Sequence, residues 1–207
     1  QQFNRALDLL REVSRHIVCG KIQAESARAE SLRSRSIKEA MEDGVRRSTA
    51  MTEIVQLLDS DAPIEGVMAN ILGVIGSFLK IDCAYLCSVS GAQEGYMDVI
   101  AQWCGEGMVS VFERTGNQRR PSWMYREKPL VLSSSAGRED YGQDMKEAGI
   151  QALAVLPLLL RDRMGMYACF AVTGTAHDWK VEEIKFLNDS VKVLQSILTK
   201  RIWKNSL

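Results

Sequence analysis

Two runs in the C-terminal half decide the fold: Ile150–Leu160 (IQALAVLPLLL) and Met164–Val172 (MGMYACFAV), separated by Arg161-Asp162-Arg163. Both runs are apolar and of strand length, and the polar tripeptide between them is a turn, so they form a hairpin. A second hairpin lies upstream, where Cys83–Val89 and Tyr96–Cys104 flank the turn Gly91-Ala92-Gln93-Glu94-Gly95. Leu130-Val131-Leu132 is a short strand that runs into Ser133-Ser134-Ser135. Tight hairpins join antiparallel strands, whereas parallel strands need long crossovers. The expectation is therefore an α+β domain with one antiparallel sheet and helices on its faces.

Outward from these strands the apolar period lengthens to that of a helix. Ile64, Val67, Ile71, Val74, Ile75 and Phe78 make one face of a helix that ends near Leu79. Ser60-Asp61-Ala62-Pro63 supplies its start, with cap residues and an early proline. Gly66, Gly73 and Gly76 lower its propensity, and such glycines admit another element at close range. Asp140–Glu147 is a short helix stopped by Gly149. Val181–Trp203 carries one stripe of Ile184, Leu187, Val191, Leu194, Leu198 and Ile202, and a second face of Phe186, Val193 and Ile197. A helix apolar on two sides needs two partners: here the sheet, and a second copy of the chain. Residues 105–128 are loop-like, with a basic pair at Arg119-Arg120 and a short helix near residues 122–127.

Residues 1–58 are helical in composition. Phe3, Leu7, Leu10 and Ile17 recur at helical spacing up to Gly20, which is placed to interrupt the helix. Beyond it, apolar positions return as Ile37, Met41, Gly44, Ser48, Met51, Val55 and Leu58 in a heptad-like seam. The segment is either a helical hairpin or one long stalk, and its mixed charge run is a solvated face. The organisation expected is a stalk over 1–58 and a domain over 59–204. Helical patterns stand at both ends of the chain, as in a fragment of a longer protein.

The 207 residues carry 26 basic and 26 acidic side chains, so no polyanionic partner such as nucleic acid is called for. No run reaches the roughly 20 apolar residues of a membrane span, and no secretory signal heads the chain. The five cysteines form no Cys-X-X-Cys pair, and are expected to be buried, reduced thiols of a cytoplasmic protein.

Residues 59–203 resemble the GAF family. The resemblance rests on Phe78–Leu86 (FLKIDCAYL), Glu127–Leu132 (EKPLVL), Ala148–Leu158 (AGIQALAVLPL) followed by a turn and Gly165, and Trp179-Lys180-Val181-Glu182-Glu183 at the start of the last helix. It implies a central antiparallel sheet with the first and last helices on one face. Loops and short helices on the other face enclose a small-molecule site. Family members sense cyclic nucleotides, bilins, haem or amino and keto acids, or only transmit signals. They stand upstream of diguanylate cyclase (GGDEF-type), kinase or transcription-activating modules in bacterial signalling proteins. The implied partners are a second copy of the chain, through the flanking helices, and an output domain in the same chain.

Large polar aromatics cluster between residues 103 and 145, and pockets combine apolar walls with a few placed polar groups. The ligand-binding candidates are Tyr85, Cys87, Trp103, Trp123, Tyr125, Arg126, Tyr141 and Met145, with Arg126 and Arg138 able to meet an anion. No cofactor is specified by the sequence. The Cys-His pair of bilin-attaching relatives is missing, and Thr173-Gly174-Thr175 stands where the cyclic-nucleotide subset has Asn-Lys. His16 and His177 alone make no metal site. No phosphate loop, nucleophile elbow or HExxH occurs, so no catalytic residue is assigned. The family's free methionine sulfoxide reductases use paired cysteines. Cys83 and Cys87, four apart on one strand, stand about 13 Å apart, so only Cys104 can bridge to one of them across the hairpin. Two functions follow: a ligand-responsive regulatory module, or a ligand-free dimerisation and relay module.

Overall fold

A computed structural model describes residues 2–57, 62–89, 95–112, 120–125, 127–134, 142–160 and 163–204. The chain divides into two compact units, Gln1–Arg46 and Arg47–Leu207. Helix α1 (Gln2–Gln56) is continuous and belongs to both. The hairpin alternative is therefore excluded, and Gly20 does not interrupt the helix. A mid-helix glycine costs about 1 kcal/mol relative to alanine, which a long run of Ala, Glu, Arg, Lys and Gln outweighs when no capping geometry offers the chain an exit. In the first unit Leu32, Ile37, Met41 and Val45 are all exposed.

The second unit is built on five antiparallel strands: β1 (Cys83–Ser88), β2 (Asp98–Cys104), β3 (Leu130–Leu132), β4 (Ala152–Leu160) and β5 (Arg163–Val172). Their spatial order is β2-β1-β5-β4-β3. Both hairpins pair as expected, and the long return from β2 places β1 beside β5. Pro157 lies past the three residues of β4 that pair with β3, where its missing N–H deprives no neighbour of a bond.

The sheet separates two cores. On one face the last turns of α1 (Ala50, Ile54), helix α2 (Ile64–Leu79) and helix α4 (Val181–Lys204) cover Ala84, Leu86, Ala154, Leu156, Ala168 and Phe170. Small residues on the sheet let the helices approach closely, and Phe78 of α2 meets Phe186 of α4 with ring centroids 4.2 Å apart. The last turns of α1 reach this core through Ala50, Met51 and Ile54, while Val55, the next position of the Met51 seam, remains exposed. Arg47 and Asp189 form an ion pair at 3.3 Å and Ser190 Oγ lies 3.7 Å from Met51 Sδ, so the end of α1 is fastened to α4. On the other face, Cys83, Tyr85, Cys87, Leu153, Val155, Tyr167, Cys169 and Ala171 meet the loops, the 3-10 turn Ser122–Tyr125 and helix α3 (Gly142–Glu147). Because β1 is central and covered on both sides, all six of its residues are buried.

Local capping explains where the helices begin and end. Residues 58–61, with the expected Ser60 and Asp61 cap, lie outside the described residues, and α2 starts at Pro63 without a side-chain cap. It stops at Lys80, which adopts the left-handed conformation (φ 55°) while the Ile81 N–H returns to the Gly76 carbonyl at 3.1 Å. The start of α4 is held on β3: Trp179 Nε1 donates to the Leu132 carbonyl, and the Trp179 backbone N–H to Ser133 Oγ. Glu183 accepts from the Lys180 N–H at 2.9 Å, half of a capping box, and pairs with His177 at 3.2 Å. Among the described residues no helix is long and apolar enough to cross a membrane.

Candidate functional site

The loop-side face gathers a small polar network inside an apolar shell, centred on Tyr85. Strand alternation directs Cys83, Tyr85 and Cys87 to this face. The segment after β2 folds back over it, so the Val111 N–H donates to the Tyr85 hydroxyl oxygen at 2.8 Å. The Ser110 hydroxyl lies between two acceptors, 3.2 Å from Gln102 Oε1 and 3.4 Å from the Tyr85 oxygen. Cys104 Sγ is 3.9 Å from the same oxygen. Phe112 stands edge-on to the Tyr85 ring at 4.7 Å between centroids. Burial pushes the Tyr85 hydroxyl far above its ordinary pKa, with the Cys83 thiol adding to the shift against the lowering effect of Ser110 and Val111. It is a neutral phenol at any physiological pH. Burial also raises the Cys83 thiol, to about 12. Cys87 and Cys169 lie side by side deeper in the same core, and this contact together with burial raises the Cys169 thiol.

Arg120 adds a cationic group to this face. Its guanidinium bonds the Met124 carbonyl and the Tyr167 hydroxyl, and lies 5.8 Å over the Tyr167 ring. Trp123, Met124 and Met145 are buried around it. Of the candidates named from sequence, Tyr85, Cys87, Trp123 and Met145 therefore converge on one core. Arg126, Arg138, Tyr141 and the side chain of Tyr125 lie outside the described residues.

Trp103 is separated from this set. It pairs with Ala84 and points, as Ala84 does, to the helix face, where its ring lies along Gly73 and Gly76 of α2. Neighbouring residues of a strand face opposite ways, so Trp103 and Cys104 cannot share a side. The network residues Gln102, Ser110, Val111, Arg120 and Tyr167 were not singled out from sequence. Tyr167 was accessible to the same alternation rule, two positions from Cys169. Ser110 and Val111 had no signal, because a loop's return path is not periodic. Among the described residues no three His, Cys, Asp or Glu side chains converge as a metal site.

No protein family matches the chain by sequence, and neither does any curated protein. By structure the chain is similar to the phycoerythrobilin-bound GAF domain of a cyanobacterial phytochrome, with a TM-score of 0.63 and 9% identity over 78% of this chain and 99% of that one. It is similar to the GAF domain of a putative sensor histidine kinase from Pseudomonas syringae pv. tomato (TM-score 0.57, 15% identity, 82% and 98% covered). A domain of a putative two-component sensor histidine kinase from Sinorhizobium meliloti 1021 is similar too (0.53, 20%, 71% and 98%). The chain has the GAF fold, an α+β architecture with a long N-terminal helix.

Proposed function

We propose that the chain is a non-catalytic sensory module of a bacterial signalling protein. A small ligand taken up on the loop-side face around Tyr85, Trp123 and Arg120 biases the helices on the opposite face. The observation that supports this most directly is the division of labour across the sheet. The loop side holds a buried polar network, and strands β1 and β5 connect it to the face where the end of α1 is tied to α4 through Arg47, Asp189, Met51 and Ser190. The structurally similar proteins include the GAF domain of a putative sensor histidine kinase and a domain of a putative two-component sensor histidine kinase. In this reading the exposed stripe of α1 meets its copy in a dimer, and α4 leads to an output module of the cyclase or kinase type in the same chain. The protein works in the cytoplasm.

A second reading is favoured by one observation: Tyr85, Trp123, Met124 and Met145 already fill the loop-side core, and the Tyr85 hydroxyl has its partners within the chain. On that reading the module is a ligand-free dimerisation and relay element. A thermal-shift screen against nucleotides, amino acids and keto acids separates the two. A ligand present at 100 times its Kd stabilises the fold by about 2.7 kcal/mol. The sensor reading requires such a hit, with the shift abolished in Trp123→Ala. A complete screen without a hit, on a chain that sediments as a dimer, favours the relay.

A further inference from the structure

We propose that Cys83 and Cys104 form a reversible dithiol site, closed to a disulfide by a peroxide-class oxidant. The two residues are direct partners across β1 and β2. Their pairing type follows from the flanking bond: the Gly105 N–H donates to the Asp82 carbonyl at 2.9 Å, so Asp82 and Gly105 are a hydrogen-bonded pair, and the adjacent pair is not. At the other end of β1, the Val89 N–H donates to the Gly165 carbonyl at 2.8 Å, so odd-numbered β1 residues direct their backbone bonds to β5 and away from β2. Non-hydrogen-bonded antiparallel pairs bring Cα atoms to about 4.5 Å, with their side chains closest. That lies inside the roughly 4.4–6.8 Å window of disulfides. Both thiols project to the loop-side face, and the neighbouring Cys104 adds to the upward shift of the Cys83 thiol. Cys87 and Cys169 also interact, but they are diagonal, since Cys87 is opposite Tyr167 and Cys169 opposite Tyr85. Diagonal positions stand about 7–8 Å apart, beyond easy bridging.

The surroundings assign the two sulfurs different roles. Cys83 is fully buried, and such thiols are inert as first nucleophiles. Cys104 is half-buried at the strand end, with the Tyr85 hydroxyl 3.9 Å from its sulfur and able to donate to a forming thiolate. Cys104 loses its proton to solvent and attacks the peroxide. An S–O bond forms, the O–O bond breaks, and the departing hydroxide is protonated to water. The Cys83 sulfur then attacks Cys104 Sγ. The S–S bond forms, the S–O bond breaks, and the second hydroxide takes the Cys83 proton. Two thiols and one peroxide give one disulfide and two waters; the cysteines lose two electrons and the peroxide gains them. Oxidation draws Cys104 away from Tyr85, the residue that holds Ser110 and Val111 across the face.

The test uses the full chain carrying Cys19→Ser, which leaves four cysteines. It is treated with a small excess of hydrogen peroxide, alkylated under denaturing conditions and mapped by mass spectrometry. The expected result is loss of two of the four titratable thiols, one cross-linked peptide pair joining Cys83 to Cys104, and full recovery with dithiothreitol. In Cys83→Ser, Cys104 proceeds to sulfinic acid; in Cys104→Ser, no thiol is lost. Bridging of any other pair, irreversible oxidation of Cys104 with Cys83 still free in the parent chain, or retention of all four thiols overturns the proposal. The peptide map of the parent decides the matter even where a variant fails to fold.

Discussion

Replacing Gly76 with alanine isolates the contact that locks α2 to the sheet. A Cβ at Gly76 would overlap Cζ3 and Cε3 of the Trp103 ring and stand 2.7 Å from Cη2. At Gly66, in the same helix, a Cβ meets nothing within 4 Å. The intrinsic gain is the same in kind for both: alanine is favoured over glycine in a helix by up to about 1 kcal/mol. The overlap at Gly76 forces one of two responses. Backbone and ring shift together, costing about 1–3 kcal/mol as over-packing does. Otherwise the half-buried ring leaves, re-exposing on the order of 100 Å² of apolar surface, about 2.5 kcal/mol at 25 cal/mol per Å². Both routes leave Gly76→Ala about 1 kcal/mol less stable than the parent and Gly66→Ala slightly more stable, a gap of about 2 kcal/mol. For a chain of this size that separates the melting temperatures by roughly 4–8 °C. Urea denaturation followed by far-UV circular dichroism gives the two free energies. The same pair of substitutions in a Trp103→Ala background completes a double-mutant cycle, in which the penalty specific to Gly76 vanishes. A Gly76→Ala variant as stable as Gly66→Ala, or a penalty that persists without the Trp103 ring, refutes the steric role of this contact.

Three further outcomes are expected. Tyr85→Phe removes the buried hydroxyl that accepts from the Val111 N–H and costs about 1–3 kcal/mol; a neutral result in urea denaturation contradicts the network's structural role. Asp82→Asn weakens the clamp in which one carboxylate oxygen accepts from the Thr173 N–H at 2.6 Å, the Thr173 hydroxyl at 3.1 Å and the Gly174 N–H at 2.9 Å, with a loss of about 1–2 kcal/mol and faster amide exchange at Thr173 and Gly174. Stability falls at alkaline pH. The folded chain holds the Cys83 proton up to about 12 against an ordinary value of 9.0, so the unfolded chain ionises first; the contribution is complete below about pH 9 and is lost as the pH rises toward 12. Urea midpoints measured across that range should decline less steeply in Cys83→Ala, and an identical slope counts against the assignment.

How far the site could be read from the chain depended on which rule each residue obeyed. Alternation puts Tyr85 and Cys87 on one face of their strand, the cluster of aromatics between residues 103 and 145 marks Trp123, and these share a core with Met145. Trp103 was grouped with them by proximity in sequence to the other aromatics, although one step along a strand reverses a side chain's face. Its true partners, Gly73 and Gly76, had already been recognised as an invitation to close approach, but nothing local says which element accepts it. The stripe of α1 illustrates the same limit. A heptad-like seam puts Met51 and Val55 on one face, whereas packing against α4 and the sheet takes in Ala50, Met51 and Ile54 and leaves Val55 exposed.

The sequence by itself determined the kind and order of the elements after residue 58: a glycine-bearing helix, a hairpin, a short strand, a short helix, a second hairpin and a two-faced closing helix; for residues 1–58 it fixed helical character alone, and the structure chose one long helix over a helical hairpin. These follow from apolar periodicity, turn chemistry and helix propensity, each of which acts within a few residues. Tertiary structure alone decided that β1 lies between β2 and β5, that Cys83 faces Cys104, that the loop after β2 returns over Tyr85, and that Trp103 joins the helices. Those outcomes depend on strand register and on contacts between residues far apart in the chain, where a shift of a single position would send every side chain of a strand to the opposite face.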